Sequence, residues 1–150
     1  MFNKMSLIKF TYTIAIIGLF LDQYTKYIAR VFLQNASIDL GLLRFDLVYN
    51  TGAAYGLFSS FTQPLLIIGI IVIGYLIYAL KSLVDSRLTS IAYGVILAGA
   101  LGNTLDRLIS GKVTDFINIQ IIPVFNVADT FLNIGIACII LDYVSSRKRR

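Results

Sequence analysis

Apolar residues fall in four long runs along the 150-residue chain, over about 7–31, 63–80, 88–108 and 127–144. Each run is close to the roughly 20 residues that cross a hydrocarbon core of about 30 Å as a helix. The second run is nearly free of charge. The first carries Asp22, Lys26 and Arg30 in its second half, the third ends on Asp106 and Arg107, and the fourth opens near Asp129. This pattern predicts an all-α integral membrane protein with four transmembrane helices, residues 1–150 forming a single membrane domain. Lys4 and Lys9 ahead of the first run give it the start of a cleaved signal peptide. No small-residue cleavage site follows, however, and Asp22 and Lys26 continue the helix, so a retained helix is expected.

The connections differ from the runs in period. Between residues 34 and 62, Leu43, Phe45, Leu47 and Tyr49 alternate with Arg44, Asp46, Val48 and Asn50, a spacing of two that belongs to strands. The connection from 111 to 126 is rich in β-branched residues over 113–122. A small extracytoplasmic β-cradle is therefore expected, from about 38–60 and 112–122. Basic residues assign the sides. Lys4, Lys9, Lys81, Arg87 and the run Arg147, Lys148, Arg149 and Arg150 lie at one end, against Arg44 and Lys112 in the opposite connections. Positive charge favours the cytoplasm, which places both termini there and the cradle outside. The terminal basic run follows a membrane helix, so it reads as a stop-transfer signal and anionic-lipid contact, with no nucleic-acid partner.

Composition narrows the chemistry. Hydrophobic residues make up 57% and charged residues 14%, with a mean hydropathy of +0.80. There is no histidine, which excludes Ser-His and Cys-His catalysis, histidine zinc sites and the HExxH motif. The single cysteine, Cys138, sits in an apolar run and reads as a packing residue. All eight acidic residues are aspartates. Counted along the helices, Asp22, Asp106, Asp115 and Asp129 gather toward the outer face, where ionisable groups are either paired or functional. Asp22 and Lys26, spaced i,i+4, can pair directly. Asp106 has Arg107 beside it and Asn103 on its own face, and a pair between Asp106 and Arg107 is expected, with a lipid phosphate as the other partner for Arg107. Asp22 and Asp106 thus read as helix-tying groups, and Asp39, Asp46 and Asp85 as solvated surface charges. Asp142 lies at the opposite end of the fourth run, which leaves Asp115 and Asp129. Two facing carboxylates share a proton and supply a base and an acid from one residue type, but from the residues alone a structural role, a transporter or a non-enzymatic lipid-binding module stays open.

Four sequence blocks decide among these. They are Asp22-Gln23-Tyr24-Thr25-Lys26; Asn50-Thr51-Gly52-Ala53-Ala54-Tyr55-Gly56; Gly102-Asn103-Thr104-Leu105-Asp106-Arg107 running on to Thr114-Asp115-Phe116; and Phe125-Asn126-Val127-Ala128-Asp129. Together and in this order, the chain resembles the lipoprotein signal peptidase (signal peptidase II) family. The resemblance implies an aspartic endopeptidase of the bacterial cytoplasmic membrane. It would cleave prolipoproteins on the amino side of a diacylglyceryl-modified cysteine, need no cofactor or metal, and be blocked by globomycin-type inhibitors. It makes Asp115 and Asp129 the catalytic pair, with Asp22, Lys26, Asn50, Asn103, Asp106, Arg107 and Asn126 in support, while the small residues Gly52 and Ala53 read as a point of close approach to substrate, with a plain tight turn as the alternative. Asn126 is also placed to cap the fourth helix. Tyr55, Phe58 and Phe61 are expected at the interface, either as anchors or as shelter for acyl chains. Two departures from the family pattern are mild. The segment from Phe116 to Phe125 is short, and Thr114 stands where Val is common.

Overall fold

The computed structural model describes residues 3–52 and 62–147. The expected residues Ala53, Tyr55, Phe58 and Phe61, the 53–60 part of the cradle and the last three residues of the basic tail lie outside that range. Among the described residues four helices form: α1 (Lys4–Phe32), α2 (Thr62–Leu83), α3 (Arg87–Ser110) and α4 (Val127–Arg147). All four are long and apolar enough to cross a membrane. Between α1 and α2 lie β1 (Ile38–Asp39) and β2 (Arg44–Asn50), and between α3 and α4 lies β3 (Val113–Asn118). The three strands form one antiparallel sheet in the order β1-β2-β3. The sheet therefore joins the two connections at one end of the bundle, where α1 and α3 finish and α2 and α4 begin.

Helix ends follow from local chemistry. Asn3 caps α1 by accepting from the Met5 N–H. Ser86 and Thr89 form a reciprocal capping box at the start of α3. Gly111, at φ 69°, ends α3 in the left-handed conformation that glycine adopts without a Cβ penalty, and its N–H closes on Arg107 O. That turn sends the chain straight into β3.

α3 is the central helix. Over half of its most apolar segment is buried, against 17% in α2 and 11% in α4. Large side chains such as Ile16, Ile71 and Tyr78 instead point outward from the bundle, as a lipid-facing surface requires. Small residues let α3 pack closely: Ala92, Gly94, Ala98, Gly99 and Gly102 are all buried.

The sheet departs from the expectation at two places. β2 carries an irregularity between Phe45 and Val48, so strict alternation fails there. Phe45 and Leu47 still pack on Ala29, Leu33 and Phe116. β3 ends at Asn118, short of the expected 122. The Asn118 side chain accepts from Gln120 N–H, Gln120 takes φ 65°, and the chain doubles back until Phe125 bridges Ile117. Asp46, expected as a solvated charge, is instead tied into the sheet: it pairs with Arg44 at 2.7 Å and accepts from Asn118 Nδ2.

A Cβ added at Gly99 would lie 2.5 Å from the carbonyl oxygen of Ala128 and 2.9 Å from Leu132 Cγ. Gly99→Ala should therefore separate α3 from α4 and cost about 1–3 kcal/mol by overpacking. At Gly74, where a Cβ meets nothing within 4 Å, alanine should be neutral or stabilising by up to ~1 kcal/mol through helix propensity. Thermal unfolding of the two variants in detergent checks the contrast in sign.

Candidate active site

The polar centre is built from three helices and the two long strands. Lys26 of α1 is fully buried. Its ammonium contacts Asp22 Oδ2 at 2.9 Å, Asp106 Oδ2 at 3.3 Å and Asn103 Oδ1 at 2.9 Å. An ammonium carries three donors, and here each has an acceptor. Asp22 spends its other oxygen on the Ala128 N–H in the first turn of α4. Asp106 accepts the Thr114 N–H at the start of β3. Gln23 adds a cross-link by donating to Asp22, Gly102 O and Asp106. The expected i,i+4 pair of Asp22 and Lys26 is thus present, and Asp106 completes it from α3.

Around this hub stand the two remaining carboxylates. Asp129 is the third residue of α4, and Asn126 precedes that helix. Asn126 Oδ1 accepts the Asp129 N–H at 2.9 Å, and Asp129 Oδ2 accepts the Asn126 N–H at 3.2 Å. This reciprocal cap fixes the Asp129 rotamer and satisfies helix-start donors that would otherwise be unpaired. The other Asp129 oxygen accepts from Asn103 Nδ2 at 2.8 Å.

Asp115 projects from β3, on the face opposite Thr114. Asn50 on β2 shares that face, one step diagonal in the register that pairs Val48 with Asp115. Asn50 Nδ2 donates to Asp115 Oδ2 at 2.9 Å, and Asn126 Nδ2 donates to Asp115 Oδ1 at 2.6 Å. Asn126 also donates to Asn103 Oδ1. One buried amide thus touches both carboxylates, through its side chain to Asp115 and through its side chain and backbone to Asp129. Burial pushes the Asp115 carboxyl up to about 6. The donated Asn50 hydrogen bond pulls against that shift, the nearby Asp129 charge adds to it, and Asn126 and Lys26 pull it back.

Asp22, Lys26, Asn50, Asn103, Asp106, Asp115, Asn126 and Asp129 are therefore drawn into one connected network. Gly52 is buried beside it, its N–H held by Asn50 Oδ1. Ala53 lies outside the described residues. Arg107 departs from the expected pair with Asp106. Its guanidinium instead donates to Asn103 O at 3.4 Å, one turn back. Consecutive residues on a helix point about 100° apart, so neighbours in sequence do not face each other. Two contributors fell outside the expected set. Gln23 sits within the first block, and Arg30 donates to Thr114 Oγ1 at 2.9 Å. Asp22, Lys26 and Arg30 are spaced i, i+4, i+8 on one face of α1, a spacing that marks Arg30 as part of the same stripe.

Comparison with known proteins places the chain in a family. Residues 14–145 match the family described as signal peptidase (SPase) II, peptidase A8. The lipoprotein signal peptidase of Microcystis aeruginosa is 39% identical over 143 residues, covering 91% of this chain and 92% of that protein. That of Caldicellulosiruptor bescii is 39% identical over 129 residues, covering 83% and 85%. Two solved bacterial membrane enzyme structures superpose with TM-scores of 0.85 and 0.80 at 32% and 34% identity. They cover 95% and 91% of this chain, and 92% and 93% of their own chains. The chain, a multi-pass membrane protein, belongs to the signal peptidase II family of proteases.

Proposed function

We propose that this protein removes signal peptides from prolipoproteins, cutting on the amino side of the diacylglyceryl-modified cysteine, with Asp115 and Asp129 as the catalytic pair. One observation carries the assignment: the buried Asn126 holds both carboxylates at once, at the end of the bundle where the strands meet the helix ends. The family match supports the substrate class. The basic residues Lys4, Lys9, Lys81, Arg87 and Arg147 support cytoplasmic termini and an extracytoplasmic site in the bacterial cytoplasmic membrane.

The pair starts the cycle with one proton between its two carboxyl groups. Asp115, desolvated on β3, holds that proton and donates a hydrogen bond to the scissile carbonyl oxygen. Asp129, as carboxylate, takes one proton from water as the oxygen attacks the carbonyl carbon. When the C–N bond breaks, Asp115 protonates the leaving amine. The proton now on Asp129 restores the pair to its starting count. Asn103, Asn50 and Asn126 hold the two groups in place, and Arg107 lies within reach of the charge that develops around them. The acyl chains of the substrate lie in the bilayer and bring the scissile bond to the membrane boundary.

Asp115→Asn and Asp129→Asn should each lower kcat on a diacylglyceryl-modified prolipoprotein by about 10²–10⁴-fold while leaving a folded protein. A gel-shift assay in lipid, with globomycin as the inhibited control, measures this, and near-normal turnover in either variant would remove that residue from the pair.

The pH profile follows from the raised Asp115 carboxyl. Below about 6 it carries the proton that the carbonyl needs, and above that value the donor is lost. In the free enzyme, kcat/KM should fall on the alkaline side with a midpoint near 6, approaching tenfold per pH unit. A profile flat between about pH 5 and 8 would show that Asp115 is not the acid.

A further inference from the structure

On the far side of β3 from Asp115 lies a second polar cleft, of about 320 Å³, between the ends of α1 and α3. That volume is at the lower end of the range typical of ligand pockets, about 300–1,000 Å³. Arg30 and Lys112 both line it, with Gln23, Ser110 and Thr114.

The cations at this end of the bundle can be accounted for one by one. Lys26 is saturated by three acceptors. Arg44 is paired with Asp46 at 2.7 Å. Arg107 turns toward Asn103 and the catalytic face. Arg30 and Lys112 remain, and they open into the same cleft. Arg30 spends one N–H on Thr114 Oγ1 and stands 4.0 Å from Asp106 Oδ1. Its side chain is 35% exposed, and among the described residues no other acceptor takes its remaining N–H groups. The Lys112 ammonium lies 3.6 Å above the Tyr49 ring, and among the described residues no carboxylate lies within salt-bridge reach of it. Gln23 and Ser110 direct their donors at protein acceptors. The one carboxylate lining the cleft, Asp106, is shared between Lys26 at 3.3 Å and Arg30 at 4.0 Å, and with Asp22 the two acids balance those two cations. The donors left open to the cleft, among the described residues, are therefore the remaining N–H groups of Arg30 and the Lys112 ammonium.

Their surroundings specify what they bind. Both stand at helix ends, at the level where the hydrocarbon core gives way to headgroups. Ile109 lines the cleft and is 74% exposed, and Leu108, next to it in sequence, is 65% exposed, an apolar border of the kind acyl chains cover. Basic residues are disfavoured on the side away from the cytoplasm, and the Lys112 charge, with no carboxylate in reach among the described residues, needs a counter-charge beside the open N–H groups of Arg30. From the cleft, its charges and its apolar border, we infer that Arg30 and Lys112 form a binding site for the phosphodiester headgroup of an anionic phospholipid, in the leaflet at the sheet end. The site is separate from the catalytic pair. Arg30 also holds Thr114, the neighbour of Asp115, so the lipid sits one residue from the strand position that carries the acid.

The test is native mass spectrometry of the purified full-length protein, titrated with dioleoylphosphatidylglycerol. Removing one cation should weaken binding roughly fivefold and both about 25-fold, from the usual contribution of a basic side chain near a charged membrane surface. Arg30→Gln also loosens the hold on Thr114, so the deciding variant is Lys112→Gln, which removes an ammonium that, among the described residues, contacts an aromatic ring and no carboxylate. Lys9→Gln, at the opposite end of α1, should leave the affinity unchanged, as should either variant with dioleoylglycerol, which has no phosphate. Equal affinity in wild type and Lys112→Gln overturns the site. Equal losses in Lys112→Gln and Lys9→Gln overturn it too, by reducing the effect to general charge. Displacement of the phospholipid by millimolar inorganic phosphate overturns the assignment to lipid.

Discussion

The structure hangs on one buried ammonium. Lys26 is removed from water in the middle of a helix bundle, which costs several kcal/mol unless its charge and all its donors are matched. The match comes from two carboxylates and one amide, on α1 and α3. None of these three partners is spent on Lys26 alone. Asp22 reaches on to the first turn of α4, Asp106 to the first residues of β3, and Asn103 to Asp129. The condition that Lys26 be neutralised therefore also places the strand and the helix start that carry Asp115 and Asp129. Removing either carboxylate would leave uncompensated positive charge and free the segment it holds.

That coupling explains why so many polar residues surround the two carboxylates proposed as the reactive pair. A carboxylate on a loop or strand near a membrane has many rotamers and ready access to lysine or arginine partners that would neutralise it. Here Asp115 is held by two neutral amides, one on each oxygen. Neutral donors orient the group without supplying a counter-charge, so its burial is free to favour the protonated form. The cations stand one shell back. Lys26 touches Asn103, not Asp115 or Asp129, and Arg30 touches Thr114, on the other face of the strand.

The helices were legible in the sequence because hydrocarbon thickness sets their length and lipid contact sets their composition, both local properties. The Asn126–Asp129 cap was legible for the same reason, as an i,i+3 signature at a helix start. The irregularity in β2 was not, since an extra residue in a strand is defined by its partner's register. The pairing of Asp106 was misread because adjacency in sequence is not adjacency on a helix surface; its cations come from α1, some eighty positions away. Nothing local distinguishes Asp115 from Asp106. Both are single aspartates near a helix end, and only the strand that follows Gly111 turns one toward Asn126 and leaves the other under Lys26. Family resemblance supplied that choice; the geometry shows only that the two differ in surroundings, Asp115 beside Asn126 and Asp106 beside Lys26.

A β-sheet at the membrane boundary raises a last constraint. An edge strand near lipid exposes N–H groups that have no water to bond. β3 is such an edge, the last strand in the order β1-β2-β3. Its Thr114 N–H goes to Asp106, and its Phe116 and Ile117 N–H groups both go to Phe125 O, from the segment that doubles back after Gln120. The short return loop is thus what closes the edge, and Asp106 serves the backbone and the buried ammonium with the same oxygen. Hydrolysis needs water at this depth, and an open strand edge would invite it anywhere along β3. With the edge closed by a carboxylate and a returning chain, the polar groups left to meet water are side chains, and those on the Asp115 face converge on the two carboxylates.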